Sequence, residues 1–100
     1  MQIHSHTSND LSLSLEGSLD ALAVEILRPR FDSLVQDKYD VTLDMTQIDF
    51  IDSSGIGAIV FLFKRLRSND RSLSLAGVHG QPLELLRYLR IEQSINVREH

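Results

Sequence analysis

Leu11, Leu13 and Leu15 alternate with Ser12, Ser14 and Glu16, the period of two that predicts a strand with one buried face. The same period recurs in Val41, Leu43 and Met45, which run on into Ile48, Phe50 and Ile51, and again from Ser72 to Val78 through Leu73 and Leu75. Between these runs the period lengthens. Val24, Leu27, Phe31 and Leu34 fall on one stripe at steps of three and four, predicting a helix from Ala21 to Gln36. Pro29 lies nearly opposite that stripe, where its missing donor predicts a solvent-side kink or a short break. Ile56, Ile59, Val60, Phe63 and Leu66 predict a second helix ending near Arg67 and Ser68.

The ends are less strongly patterned. Gln2 to Thr7 alternates weakly and Ser8-Asn9-Asp10 carries turn chemistry, predicting an initial hairpin. Gly17-Ser18-Leu19-Asp20 is read as the exit from the second strand. Pro82 is expected at the first position of a short third helix, with Glu84 in its first turn and Arg87 and Arg90 toward its end; Ile95 and Val97 offer a closing strand. The order β-β-α-β-α-β-α-β predicts an α/β fold with a mixed sheet in one domain spanning 1–100, because parallel neighbours need helical crossovers.

Composition narrows the function classes. Apolar residues form 42% of the 100-residue chain and charged residues 24%, enough for one modest core and too little for two. The absence of cysteine excludes disulfides and thiolate metal sites. The first residues lack the basic start and apolar run of a signal peptide, and no stretch approaches the roughly 20 apolar residues of a membrane span. With a net charge of −4 and dispersed basic residues, the chain offers no continuous footprint for nucleic acid.

The most informative segment is Asp49-Phe50-Ile51-Asp52-Ser53-Ser54-Gly55-Ile56-Gly57, where an apolar strand hands over to an apolar helix. A helix start presents unpaired N–H groups and the positive end of the dipole, an environment suited to a phosphate. The structural account makes Ser53 or Ser54 the N-cap, worth about 1 kcal/mol, with Gly55 and Gly57 permitting close packing. One cap needs one hydroxyl, however. Glycine in a first turn also lowers helix propensity by about 1 kcal/mol relative to alanine, which points to access or close approach. Which hydroxyl would carry chemistry is not distinguished by these arguments.

Phe61 projects away from the second helical stripe, beside Ala58 and Arg65, either as an exposed partner anchor or in contact with a neighbouring helix. Other signals are weak. Gly55-Ile56-Gly57 lacks the third glycine of a dinucleotide loop, since Val60 stands there. The serines are not in a G-x-S-x-G elbow and have no well-placed His-Asp pair, which speaks against a serine hydrolase with Ser54 as nucleophile. His4, His6, His79 and His100 have no partner at helical metal spacing and are read as surface residues; no metal and no cofactor are expected. Asp44, Asp49 and Asp52 resemble an acidic phosphorylation pocket only superficially, because no lysine accompanies them.

The run from Val41 through Ile51-Asp52-Ser53-Ser54-Gly55 to Gly57, with Gly17-Ser18-Leu19-Asp20 upstream, resembles the STAS domains of bacterial anti-sigma factor antagonists over nearly the whole chain. That resemblance implies a non-enzymatic, cytoplasmic, bacterial regulatory protein without a cofactor, switched by phosphorylation. It places the acceptor at the second hydroxyl of the turn, Ser54, with Ser53 the lesser candidate. The partners it implies are an anti-sigma factor that is also a serine kinase and a metal-dependent phosphatase of the PPM type. Asp20, Asp52, Ser53, Ser54 and Gly55 match positions in or beside the partner surface, although Asp20 serves equally well as a cap or turn residue. The rival within the family is an interaction module for another regulator or a transporter ATPase. Ser18, Pro29 and the early stop after Val97 depart from the family pattern and bear on partner choice.

Overall fold

The computed structural model describes residues 2–6 and 10–99, the first five by their backbone. Five strands, β1 (Gln2–His6), β2 (Asp10–Leu19), β3 (Asp40–Ile51), β4 (Leu73–Val78) and β5 (Asn96–Glu99), lie side by side in chain order. β1 runs antiparallel to β2, and every later pair is parallel. The crossovers are α1 (Ala21–Gln36), α2 (Ser53–Ser68) and α3 (Gly80–Tyr88), the last followed by a single 3₁₀ turn, Ile91–Gln93. The predicted hairpin is realised in the antiparallel pairing of β1 and β2, while its turn, 7–9, lies outside the described residues.

Register makes the alternating pattern three-dimensional. Leu13, Leu43 and Leu75 are mutual partners across β2, β3 and β4 and all are fully buried, and the aligned Leu11, Val41 and Leu73 are buried with them. The intervening positions form a polar row, Ser12, Thr42, Ser74 and Asn96, on the opposite face. Parallel sheets are ordinarily apolar on both faces because helices cover both. Here the hydroxyl-bearing face is suited to water, and the helices' buried residues join the leucine face in one core.

Four details correct or sharpen the sequence reading. β2 does not end at Gly17 but continues to Leu19, because Gly17 takes a φ of 85° between two register shifts and so bends the strand without ending it. α1 runs through Pro29 without the short break that is the alternative to a kink, and Pro29 is exposed, where a freed carbonyl can reach solvent. α2 buries Gly55, Ile59, Leu62 and Leu66, with Ile56, Val60 and Phe63 half-buried on its flank. Leu62 escaped the stripe because Val60-Phe61-Leu62-Phe63 is apolar on every side and gives periodicity nothing to distinguish. α3 starts at Gly80 with His79 as its cap residue, so Pro82 is its third residue and Glu84 lies past the first turn.

Candidate functional site at the start of the second helix

Leu19 and Ile51 are register partners at the ends of β2 and β3, so the two strands release their chains side by side. Each is followed by an aspartate with nearly identical extended backbone, Asp20 at φ −111°, ψ −173° and Asp52 at φ −109°, ψ −172°. Each aspartate caps the helix it precedes. Asp20 Oδ1 accepts from the Ala23 N–H at 3.0 Å, and Asp52 Oδ1 accepts from the Gly55 N–H at 3.1 Å. The Asp52 N–H in turn donates to the Leu19 carbonyl at 3.3 Å, tying the two caps together. α1 and α2 therefore start next to each other with their positive dipole ends at the C-terminal ends of β2 and β3.

This arrangement corrects the expected cap. Asp52, rather than Ser53 or Ser54, bonds the first turn of α2, because aspartate caps as well as serine does and already stands at the last extended residue. Both hydroxyls are thereby released from structural duty, and neither makes a hydrogen bond among the described residues. They also part in direction. Ser53 is exposed, whereas Ser54 is half-buried and lines a groove of about 620 Å³ between α1 and α2.

Gly55 earns its place by close approach. A methyl group there would stand 2.3 Å from the Leu19 carbonyl oxygen and 2.6 Å from Ile51 Cγ1, so only hydrogen lets the first turn of α2 rest on the strand ends. Gly57 is different. An added methyl would meet no atom within 4 Å, and the residue borders the groove, so packing does not account for it.

Phe61 is exposed, as its place off the helical stripe predicts. It is 61% exposed and it lines the groove facing α1. The Arg65 guanidinium sits 5.3 Å from its ring centroid while also pairing with Asp32 of α1 at 2.6 Å.

Gln81 is a site residue that pattern reading missed. β4 stops at Val78, which would leave the last residue of β3 without a neighbour on that side. The Gln81 amide supplies one: Oε1 accepts from the Ile51 N–H at 2.9 Å and Nε2 donates to the Ile51 carbonyl at 2.9 Å. A side chain thus completes the ladder at the residue immediately before the Asp52-Ser53-Ser54 turn. A glutamine in the first turn of a helix that follows a short strand is the only sequence signal, and it is too common to be diagnostic.

The remaining candidates are not brought together. His79 Nε2 donates to the Thr46 carbonyl at 2.7 Å, so it is engaged and not a loose surface residue. The side chains of His4 and His6, and all of His100, lie outside the described residues. Asp44 accepts from the Thr46 N–H and hydroxyl, Asp49 is exposed, and Asp52 is the cap; the three form no pocket. Among the described residues no cluster of His, Asp or Glu could hold a metal, and no helix is long and apolar enough to cross a membrane.

Comparison with known proteins converges on the same architecture. An anti-sigma-B factor antagonist of Bacillus subtilis is 22% identical over 89 residues, covering 89% of this chain and 82% of that protein. The solved structure of the Bacillus cell fate determinant SpoIIAA in its phosphorylated form superposes with a TM-score of 0.75 at 19% identity, covering 96% of this chain and 88% of that one. A sulfate transporter family protein from Wolinella succinogenes superposes with a TM-score of 0.81 at 16% identity, covering 97% and 82% of the two chains. The model of the STAS domain matches residues 2–100, and the chain belongs to the STAS domain family.

Proposed function

We propose that this protein is an anti-sigma factor antagonist whose docking surface is the shared start of α1 and α2 and whose switch is phosphorylation of Ser54. The observation that carries the reading is the Ser54 hydroxyl: it is free of the cap, second in α2, and opens on the groove that Phe61 lines. The names of the Bacillus relative and the phosphorylated SpoIIAA structure support the general role.

The mechanism needs no rearrangement. A phosphate on Ser54 brings about −1.5 to −2 charges, which the adjoining helix start partly compensates. Asp52 is already bonded to the Gly55 N–H, so the new charge adds to one in place and does not replace it. The fold stays and the surface becomes more negative. In this reading the unphosphorylated protein binds an anti-sigma factor that is also a serine kinase, modification releases it, and a PPM-type phosphatase restores binding. Asp20, Asp52, Ser53 and Phe61 complete the contact surface, whereas Gly55, expected there from the sequence, is buried against Leu19 and Ile51 and only positions it. The protein acts by binding and not by catalysis, in the cytoplasm of a bacterium.

The test is site-resolved phosphate mapping after incubation with the kinase partner and ATP. One phosphate is expected, on Ser54, lost in Ser54→Ala and kept in Ser53→Ala. Undiminished incorporation in Ser54→Ala would overturn the assignment. The likeness to the Wolinella protein favours a second reading, a STAS module serving a transporter; tight binding to a transporter's cytoplasmic domain with indifference to the anti-sigma kinase would establish it instead.

A further inference from the structure

The groove between α1 and α2 has walls of equal length. One runs from Ala21 to Asp32 and the other from Ser54 to Arg65, each about 16 Å at 1.5 Å per residue. The Arg65–Asp32 pair joins the walls at the far end and Ser54 stands at the head. The lining between is apolar, from Val24, Phe31, Ala58, Phe61 and Leu62, with one exception. Arg28 is exposed and has neither ion pair nor hydrogen bond among the described residues, whereas Asp32, the acidic member of the lining, is committed to Arg65. The groove is thus an apolar trough with one unbalanced positive charge midway along it.

We propose that this trough seats a three-turn amphipathic helix of the docking partner, its apolar stripe against Phe61 and Val24 and a single carboxylate opposite Arg28. The inference rests on the partner-docking reading above. An extended segment is disfavoured because both walls are helices with internally satisfied backbones, so its own N–H and C=O groups would find no partners; a helix satisfies its own. A small ligand is disfavoured because the trough is only about half enclosed and would leave part of such a molecule in water, whereas small-molecule sites enclose most of theirs. A length of about three turns and one complementary charge are what a short helix matches. An acidic helix also gives the switch its sign. Phosphate on Ser54 would place like charge at the head of the trough and expel that occupant.

The test uses the full chain and a display library of 14-residue helical peptides with a fixed apolar stripe and randomised polar positions. Selection should enrich Glu or Asp at one position. Replacing that residue with Lys should weaken binding at least tenfold, and amide shifts on binding should map to α1 and α2. Selection against Arg28→Glu should enrich Lys or Arg at the same position. No acidic preference, shifts mapping elsewhere, or saturation of the trough by decanoate with no helix selected would each overturn the proposal. None of these readouts involves a kinase, so they fail or succeed independently of phosphate mapping on Ser54.

Discussion

Replacing Gly55 and Gly57 separately by alanine should move stability in opposite directions, although both lie in the first turns of one helix. In an open helical position the change gains about 1 kcal/mol, from helix propensity and reduced unfolded-state entropy. Gly57 meets that condition, since the new methyl has no neighbour within 4 Å. Gly57→Ala should therefore be stabilised by up to about 1 kcal/mol. At Gly55 the methyl falls 2.3 Å from the Leu19 carbonyl oxygen, a strand backbone atom that cannot rotate aside, and 2.6 Å from Ile51 Cγ1. Relief requires α2 to lift from the strand ends, straining the Asp52 N–H bond to Leu19 as well. Overpacking of this kind costs about 1–3 kcal/mol and the strained bond about 1 kcal/mol, outweighing the propensity gain. Gly55→Ala should lose about 1–3 kcal/mol net, and each kcal/mol corresponds to roughly 4–8 °C in Tm for a domain of this size. Urea unfolding at constant m-value reads both variants. A Gly55→Ala protein as stable as the parent would refute the close-approach account.

Asp20→Ala and Asp52→Ala should each lose about 1 kcal/mol as a helix cap disappears, measurable by the same unfolding curves; equal stability of Asp52→Ala and parent would return the cap to a serine. Gln81→Leu should leave the Ile51 N–H and C=O unpaired, costing about 1–3 kcal/mol. Its distinguishing signature is faster hydrogen exchange at Ile51 than at Leu43, and parallel acceleration of both amides would make Gln81 a general stability residue only. Phe61→Ala should leave the unfolding midpoint within about 0.5 kcal/mol, since the ring is mostly in solvent, while weakening partner binding by about 1–2 kcal/mol in calorimetry. Unchanged affinity would remove Phe61 from the docking surface.

What could be read from the chain followed the strength of its periodicity. Leu11-Leu13-Leu15 and Val41-Leu43-Met45 alternate cleanly because one face of the sheet is polar, and α1 carries its stripe beside charged residues, so these elements and the strand-turn-helix handover were legible. α2 was legible as a helix but less so in its facing, since six consecutive apolar residues, Ala58 to Phe63, hide the phase. At position 17 a glycine that continues a strand at positive φ looks the same in sequence as one that ends it. The site was legible as a segment and not as a geometry. Asp52 and Ser53 are equivalent caps by type, and only the register of Leu19 with Ile51 decides that the aspartate is the last extended residue. Gln81 and Arg28 were invisible because their meaning lies in neighbours 30 residues or a whole helix away.

The central claim is that charge on Ser54 changes the docking surface and leaves the fold alone. Its most direct test is the affinity of the anti-sigma partner for the protein carrying phosphoserine genetically encoded at position 54, beside the unmodified protein. The phosphate's roughly −1.5 to −2 charges, about 10 Å from a partner carboxylate opposite Arg28, are worth about 1.2–1.7 kcal/mol at an effective dielectric of about 40, so affinity should fall about tenfold, with amide spectra outside the first turns of α1 and α2 unchanged. Equal affinity for the two forms, or loss of the folded spectrum on modification, would contradict the account.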